Sequence, residues 1–173
     1  MTGDFAHSLR IDSIRHGERI DLAADEAERA AVAERLRLER IERLEAHAVL
    51  SRAGEEVTAE GRVRAALDQA CVVTGEPVAA HIDEPFTVRF SPEPPVATPD
   101  EEIELAPEDG DTVFHDGATI DLGSAIADTL ALSLNPYPRS AAAESASREA
   151  GIMSEMEASP FAVLAKLKGG DSA

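Results

Sequence analysis

Residues Val57 to Phe90 constrain the fold more than any other stretch of the chain, because they alternate with period two on both sides of a single turn. Val57, Ala59, Gly61, Val63, Ala65, Leu67, Cys71 and Val73 fall on odd positions, while Thr58, Glu60, Arg62, Arg64 and Asp68 fall on even ones. Successive side chains of a strand point to opposite faces, so this is the pattern of a strand with one buried face. Thr74-Gly75-Glu76-Pro77 is a compact turn signal. Beyond it, Val78, Ala80, Ile82, Phe86, Val88 and Phe90 share one face, and His81, Asp83, Thr87 and Arg89 the other. Two such segments across a short turn predict an antiparallel hairpin. The first is long for one strand, and Gly61 marks a bulge or bend in it.

A lone hairpin is not stable in water, so further elements must cover its apolar face. Asp21 to Leu38 is rich in Ala, Glu, Arg and Leu and reads as a helix, with Asp25, Glu26 and Glu28 at the end where the helix dipole favours negative charge. Residues 39–52 admit two readings. Propensity extends the helix as far as Gly54, whereas Leu44, Ala46, Ala48 and Leu50 against Arg43, Glu45 and His47 make a period-two strand. The need for a third strand favours the strand over Ile41–Arg52. Asp121 is a plausible N-cap, Leu122, Ile126, Leu130 and Leu134 recur every four residues, and Asn135-Pro136-Tyr137-Pro138 stops that helix. The expected fold is α+β: an antiparallel curved sheet or partly open β-barrel, with helices near Leu22–Leu38 and Leu122–Leu134 packed on it.

Charge narrows the choice of partners. The chain has 16 Lys+Arg against 34 Asp+Glu and a net charge of −18. Such a field opposes nucleic-acid backbones and anionic membranes and favours basic proteins. No apolar run reaches the roughly 18 residues a membrane span needs, and Met1–Leu22 holds no signal-peptide stretch, so a cytoplasmic protein is expected. The single cysteine, Cys71, permits no intrachain disulfide.

Ser91 to Asp116 carries five prolines and nine acids with no Lys or Arg, the composition of an extended acidic loop. It is either a solubilising insertion or a lure for a basic partner. Ser140 to Ala158 is an Ala/Ser/Glu tract that reads as a tether. Ser159-Pro160-Phe161, two lysines and Gly169-Gly170 punctuate a short terminal helix. That helix either folds back on its own domain or docks in a partner's groove. The expected organisation is one α+β domain over 1–139, with the acidic loop at 91–116, followed by the tether and helix over 140–173.

Four segments, taken in order, resemble the YceD family of large-ribosomal-subunit RNA accumulation proteins. They are Gln69-Ala70-Cys71-Val72-Val73-Thr74-Gly75-Glu76-Pro77, Phe86-Thr87-Val88-Arg89-Phe90-Ser91-Pro92 with its acidic sequel, Ile120-Asp121-Leu122 with the helix ending in Leu134-Asn135-Pro136-Tyr137-Pro138, and Pro160-Phe161-Ala162-Val163-Leu164-Ala165-Lys166-Leu167-Lys168. The likeness runs roughly from Val57 to Lys168. It implies support of 23S ribosomal RNA accumulation and large-subunit assembly, with no catalytic reaction and no cofactor. Many members carry Cys-x-x-Cys at the hairpin turn, whereas this chain has Thr74 in the second place. A two-cysteine site would supply half of a structural zinc site, and here even that half is incomplete.

The residues offer no enzyme signature. Cys71 shares a face with Leu67 and Val73, where a free cysteine packs as a small hydrophobe. That weighs against a nucleophile with His81 as its base. His7, His16, His47, His81 and His115 lack ligand spacing, and no Gly-rich phosphate loop or nucleophile elbow is present. Arg62, Arg64 and Arg89 share the polar face of the hairpin and form the one candidate basic patch. The candidate partner-binding residues are Phe161, Leu164, Leu167, Lys166 and Lys168 in the terminal helix and Glu101, Glu102, Glu104 and Asp109 in the acidic loop. The expected function is a non-enzymatic assembly factor acting through a basic ribosomal protein or assembly factor. The alternative is an acidic chaperone that sequesters such a protein before it meets RNA.

Overall fold

The computed structural model describes residues 5–93 and 112–151. The chain divides into two compact units, Met1–Gln69 with Ala79–Pro136, and Ala70–Val78 with Tyr137–Ala173. The first unit is built on a five-stranded sheet whose spatial order follows the chain: β2 (Glu18–Ala23), β3 (Arg40–Ala53), β4 (Glu56–Ala70), β5 (Pro77–Pro92) and β6 (Thr112–His115). β1 (Ser8–Arg10) and β7 (Thr119–Asp121) form a separate antiparallel pair. The fold is α+β with a curved sheet that, among the described residues, does not close, since β2 and β6 stand at its two edges. One pairing departs from the antiparallel expectation: β6 runs parallel to β5, with Arg89 opposite Thr112 and Pro92 opposite His115.

The ambiguous residues 39–52 are a strand. Leu44, Ala46, Ala48 and Leu50 are all buried, while Arg43, Glu45 and His47 are exposed. Burial and the β3–β4 ladder override the helix propensity of this Glu/Arg-rich stretch. The helix before it is also shorter than propensity predicts. Asp21 and Leu22 belong to β2, opposite His47 and Ala46, so α1 spans only Glu26–Leu36. Its start is set by a capping box. The Asp25 carboxylate accepts the Glu28 N–H at 2.9 Å, and the Glu28 carboxylate accepts the Asp25 N–H at 2.8 Å. Its end is set by Arg37, which adopts the left-handed conformation at φ 55°, with the Leu38 N–H returning to the Ala33 carbonyl. Asp25→Ala removes the box and is expected to cost about 1 kcal/mol in urea unfolding; an unchanged midpoint would show that tertiary contacts alone hold the helix start.

α2 (Leu122–Ser133) begins as expected, with the Asp121 carboxylate accepting the Ser124 N–H at 3.1 Å. Leu122, Ile126 and Leu130 are fully buried and join Val32 of α1 and Val57, Val63 and Phe90 of the sheet in one aliphatic core. Full burial of each such side chain contributes roughly 1.5–3 kcal/mol.

The bulge lies in β3, where the register shifts between Ile41 and Arg43, and not at Gly61. Gly61 serves a different need. It pairs with Ala48, and a Cβ there would overlap the His47 carbonyl oxygen and approach the Ala48 Cα to 2.9 Å. Gly123 at the start of α2 is equally constrained, because a Cβ would run into the Phe5 carbonyl oxygen and approach the His7 nitrogen to 2.8 Å.

The second unit takes in the turn between β4 and β5. Residues 140–151, expected to be a tether, contain a third helix, α3 (Ala143–Glu149), with Ala143 buried and an Arg148–Glu144 ion pair one turn apart. Among the described residues, no helix is long and apolar enough to cross a membrane.

Candidate functional site

The densest set of polar contacts in the second unit surrounds Cys71. The turn folds tightly on itself: the Cys71 N–H donates to the Glu76 carbonyl at 2.8 Å, and the Gly75 N–H to the Cys71 carbonyl at 2.9 Å. Gly75 sits at φ +74°, a conformation that Gly adopts without strain. This geometry aims two N–H groups at one sulfur, with Val73 and Thr74 both donating to Cys71 Sγ at 3.4 Å. A third arrives from far along the chain, the Ser140 N–H at 3.3 Å. The Val72 N–H bonded to the Pro138 carbonyl at 2.9 Å holds that segment alongside.

Hydroxyls and one carboxylate complete the cluster. Glu76 Oε2 accepts from Ser140 Oγ at 2.8 Å and from Thr74 Oγ1 at 3.1 Å, and the two hydroxyl oxygens lie 3.1 Å apart. Cys71 is buried at 3% exposure. The Thr74 side chain and the N–H groups of Ser140, Thr74 and Val73 hold its thiol down at about 6, against burial, which pushes it up. Cys71 is buried, as expected of a free cysteine on this face, and its sulfur plays a second part. It is a hydrogen-bond acceptor outside the aliphatic core, and Val73, expected on the same face, is 36% exposed.

Thr74 stands where the resemblance places a second cysteine, and its hydroxyl bonds Glu76 and Ser140. The donor set is one thiol, one carboxylate and two hydroxyls. Among the described residues, no group of three His, Cys, Asp or Glu side chains is gathered as a metal site would require. Sequence reading missed the parts played by Ser140 and Glu76, since a serine at the head of an Ala/Ser tract carries no signal of a contact 69 residues away.

The candidate basic patch lies on the open face of the first unit. Arg62 pairs with Asp83, Arg64 reaches the same carboxylate oxygen at 3.4 Å, and Arg89 reaches Glu56 at 3.5 Å. Arg62, with Arg64 beside it, holds the Asp83 carboxyl below the usual carboxylate range. In register across the strands, Asp21 faces His47 and His47 faces Arg62. The face is thus a mosaic of both signs, and the shallow depression of about 310 Å³ beside it is lined by Asp21, Glu45, His47, Arg62 and Arg64. Exposed pairs of this kind contribute roughly 0–1 kcal/mol each; what they alter is the free positive charge. The nine candidate partner-binding residues, Phe161, Leu164, Leu167, Lys166, Lys168, Glu101, Glu102, Glu104 and Asp109, lie outside the described residues.

A family model for the large ribosomal RNA subunit accumulation protein YceD matches residues 59–168. No curated protein and no solved structure matches the chain. The matched span starts in β4, continues through the Cys71 turn, β5 and α2, and covers well over half of the sequence. With the long hairpin, the capped α2 helix and the turn all inside that span, the chain belongs to the YceD family of large ribosomal RNA subunit accumulation proteins.

Proposed function

We propose that this protein supports accumulation of the large ribosomal RNA and assembly of the large subunit in the cytoplasm as a non-enzymatic factor, by binding a basic ribosomal protein or assembly factor. One observation carries the reading: in a chain of net charge −18, the arginines of the sheet face already rest on carboxylates, Arg62 and Arg64 on Asp83 and Arg89 on Glu56. Phosphate contacts would have to compete with these pairs inside a repelling field. A basic protein meets the same field as an attraction that speeds encounter. The acidic segment between β5 and β6 and the segment Pro160–Lys168 are the proposed interaction elements.

A tagged pull-down from growing cells, split into nuclease-treated and untreated halves, tests the reading. A basic ribosomal protein or assembly factor is expected to stay bound after nuclease, and to be released by salt. Loss of every bound protein with the RNA would overturn it. Deleting Pro160–Lys168 is expected to lower large-subunit RNA while the body remains folded by circular dichroism; normal accumulation would remove that segment from the mechanism.

A further inference from the structure

β6 is an edge strand with unusual side chains for its position. It ends the sheet, paired with β5 on one side and, among the described residues, with no strand on the other. An open edge presents unpaired N–H and C=O groups, and proteins ordinarily blunt it with lysine, proline or a bulge. β6 reads Thr-Val-Phe-His and has none of these, its four-residue length being its one protection. Two of its apolar residues face solvent, with Phe114 58% exposed and Val113 40%. They line a groove of about 300 Å³ that runs from β6 to the first turns of α2, over buried Phe90 and Ile120.

The rim of this groove is acidic on balance, three carboxylates against Arg35, which pairs with Asp128 from α1. The carboxylates are Asp116, Asp121 and Asp128. The N–H groups of Ala118 and Thr119 hold the Asp116 carboxyl below the usual range, so it is ionised at neutral pH. His115 accepts the Gly117 N–H at Nδ1 and bonds the Glu55 carbonyl through Nε2.

We propose that the groove takes an extended basic segment of a protein partner, one in which apolar residues alternate with Lys or Arg. The segment adds a strand to β6, turns its apolar side chains toward Val113, which lies opposite Phe90, and sets its cations at the alternate positions, beside Phe114 and Asp116. Strand addition needs only main-chain groups and alternate side-chain contacts, which an open edge beside an apolar groove supplies. The charge selects the occupant. RNA would meet a net negative rim, and a second copy pairing through β6 would set one acidic rim against another. The proposal rests on the reading that the protein works by binding a basic partner, and it names where that partner docks.

Fluorescence anisotropy on the full chain tests it, with a labelled peptide of Val or Ile alternating with Lys or Arg as the probe. The controls are the same composition scrambled to destroy the alternation, and a short single-stranded RNA. The alternating peptide is expected to bind, and Phe114→Ser and Asp116→Asn, which keeps the acceptor for the Ala118 and Thr119 N–H groups, are each expected to weaken it about tenfold. Asp116→Asn should also flatten the salt dependence. Both sites are exposed, and circular dichroism checks that both variants fold. Wild-type affinity in both variants, tighter binding of the RNA or of the scrambled peptide, or a concentration-dependent dimer abolished by Phe114→Ser would each overturn the proposal. The variants also separate the two claims in the pull-down. If a basic protein survives nuclease and both variants retain it equally, the groove is wrong and the functional reading stands. If none survives nuclease, the functional reading itself has failed.

Discussion

Replacing Gly61 with alanine is expected to destabilise the protein by roughly 3 kcal/mol or more, the class of effect seen when added atoms meet groups that cannot yield. The added methyl would overlap the His47 carbonyl oxygen and crowd the Ala48 Cα, both backbone atoms of the paired strand. A flexible side chain could rotate away, but this carbonyl can move only by opening the β3–β4 ladder. Leu44, Leu50, Val57 and Val63, at 1% exposure or less, lie on the same two strands, so the damage reaches the core. Urea unfolding of the purified chain measures it. Gly54→Ala is the control: at φ +67° with nothing within 4 Å of its Cβ, it is expected to lose only the left-handed backbone penalty of about 1–2 kcal/mol. Gly123→Ala provides a second test, because alanine is favoured over glycine inside a helix by roughly 1 kcal/mol, yet here the clash with Phe5 should make it destabilising. If Gly61→Ala unfolds within 1 kcal/mol of the wild type, the close approach of β3 and β4 is not required for stability.

These glycines mark the boundary of what the sequence could say. Period-two patterning located β4 and β5, written in Val57, Ala59 and Val63, whereas for β3 it offered only one of two readings, and the hairpin's need for a further strand decided between them. Periodicity also placed α2, because Leu122, Ile126 and Leu130 repeat every four residues behind the Asp121 cap. Helix propensity overran at both ends of α1, since it has no knowledge of strand pairing: Asp21 and Leu22 are drawn into β2 by His47 and Ala46, and Arg37 turns left-handed without a glycine to announce it. The parallel β5–β6 pairing was beyond reach, because the end of β5 and all of β6 fall inside residues 91–116, whose acidic composition predicts a loop and says nothing about where the chain re-enters the sheet. The Cys71 cluster was half legible. The Thr-Gly-Glu-Pro turn was readable, whereas the Ser140 N–H that completes it arrives from a tract with no periodicity.

That cluster carries the other large expected effect. With its thiol near 6, Cys71 should be about 90% thiolate at pH 7, against about 3% for a cysteine at the ordinary value near 8.5. Ultraviolet absorbance of the folded protein, which rises as a thiolate forms, is expected to titrate with a midpoint close to 6 and to be flat in Cys71→Ala. Linkage fixes the sign of the consequence for stability. The folded value lies below the unfolded one, so the folded state binds the proton more weakly, and stability rises with pH between the two values. The contribution is fully present above the unfolded value and is lost as pH falls through about 6. Cys71→Ala removes this slope, while Cys71→Ser keeps a small acceptor for the N–H groups of Val73, Thr74 and Ser140 but no group that ionises in this range. Both variants should therefore lose the rise between pH 6 and 9, with serine retaining more stability than alanine at any one pH. A midpoint near 8.5 would show that the three N–H groups do not act on the sulfur as a set. The position would then revert to the small buried hydrophobe that its place in the strand pattern first suggested.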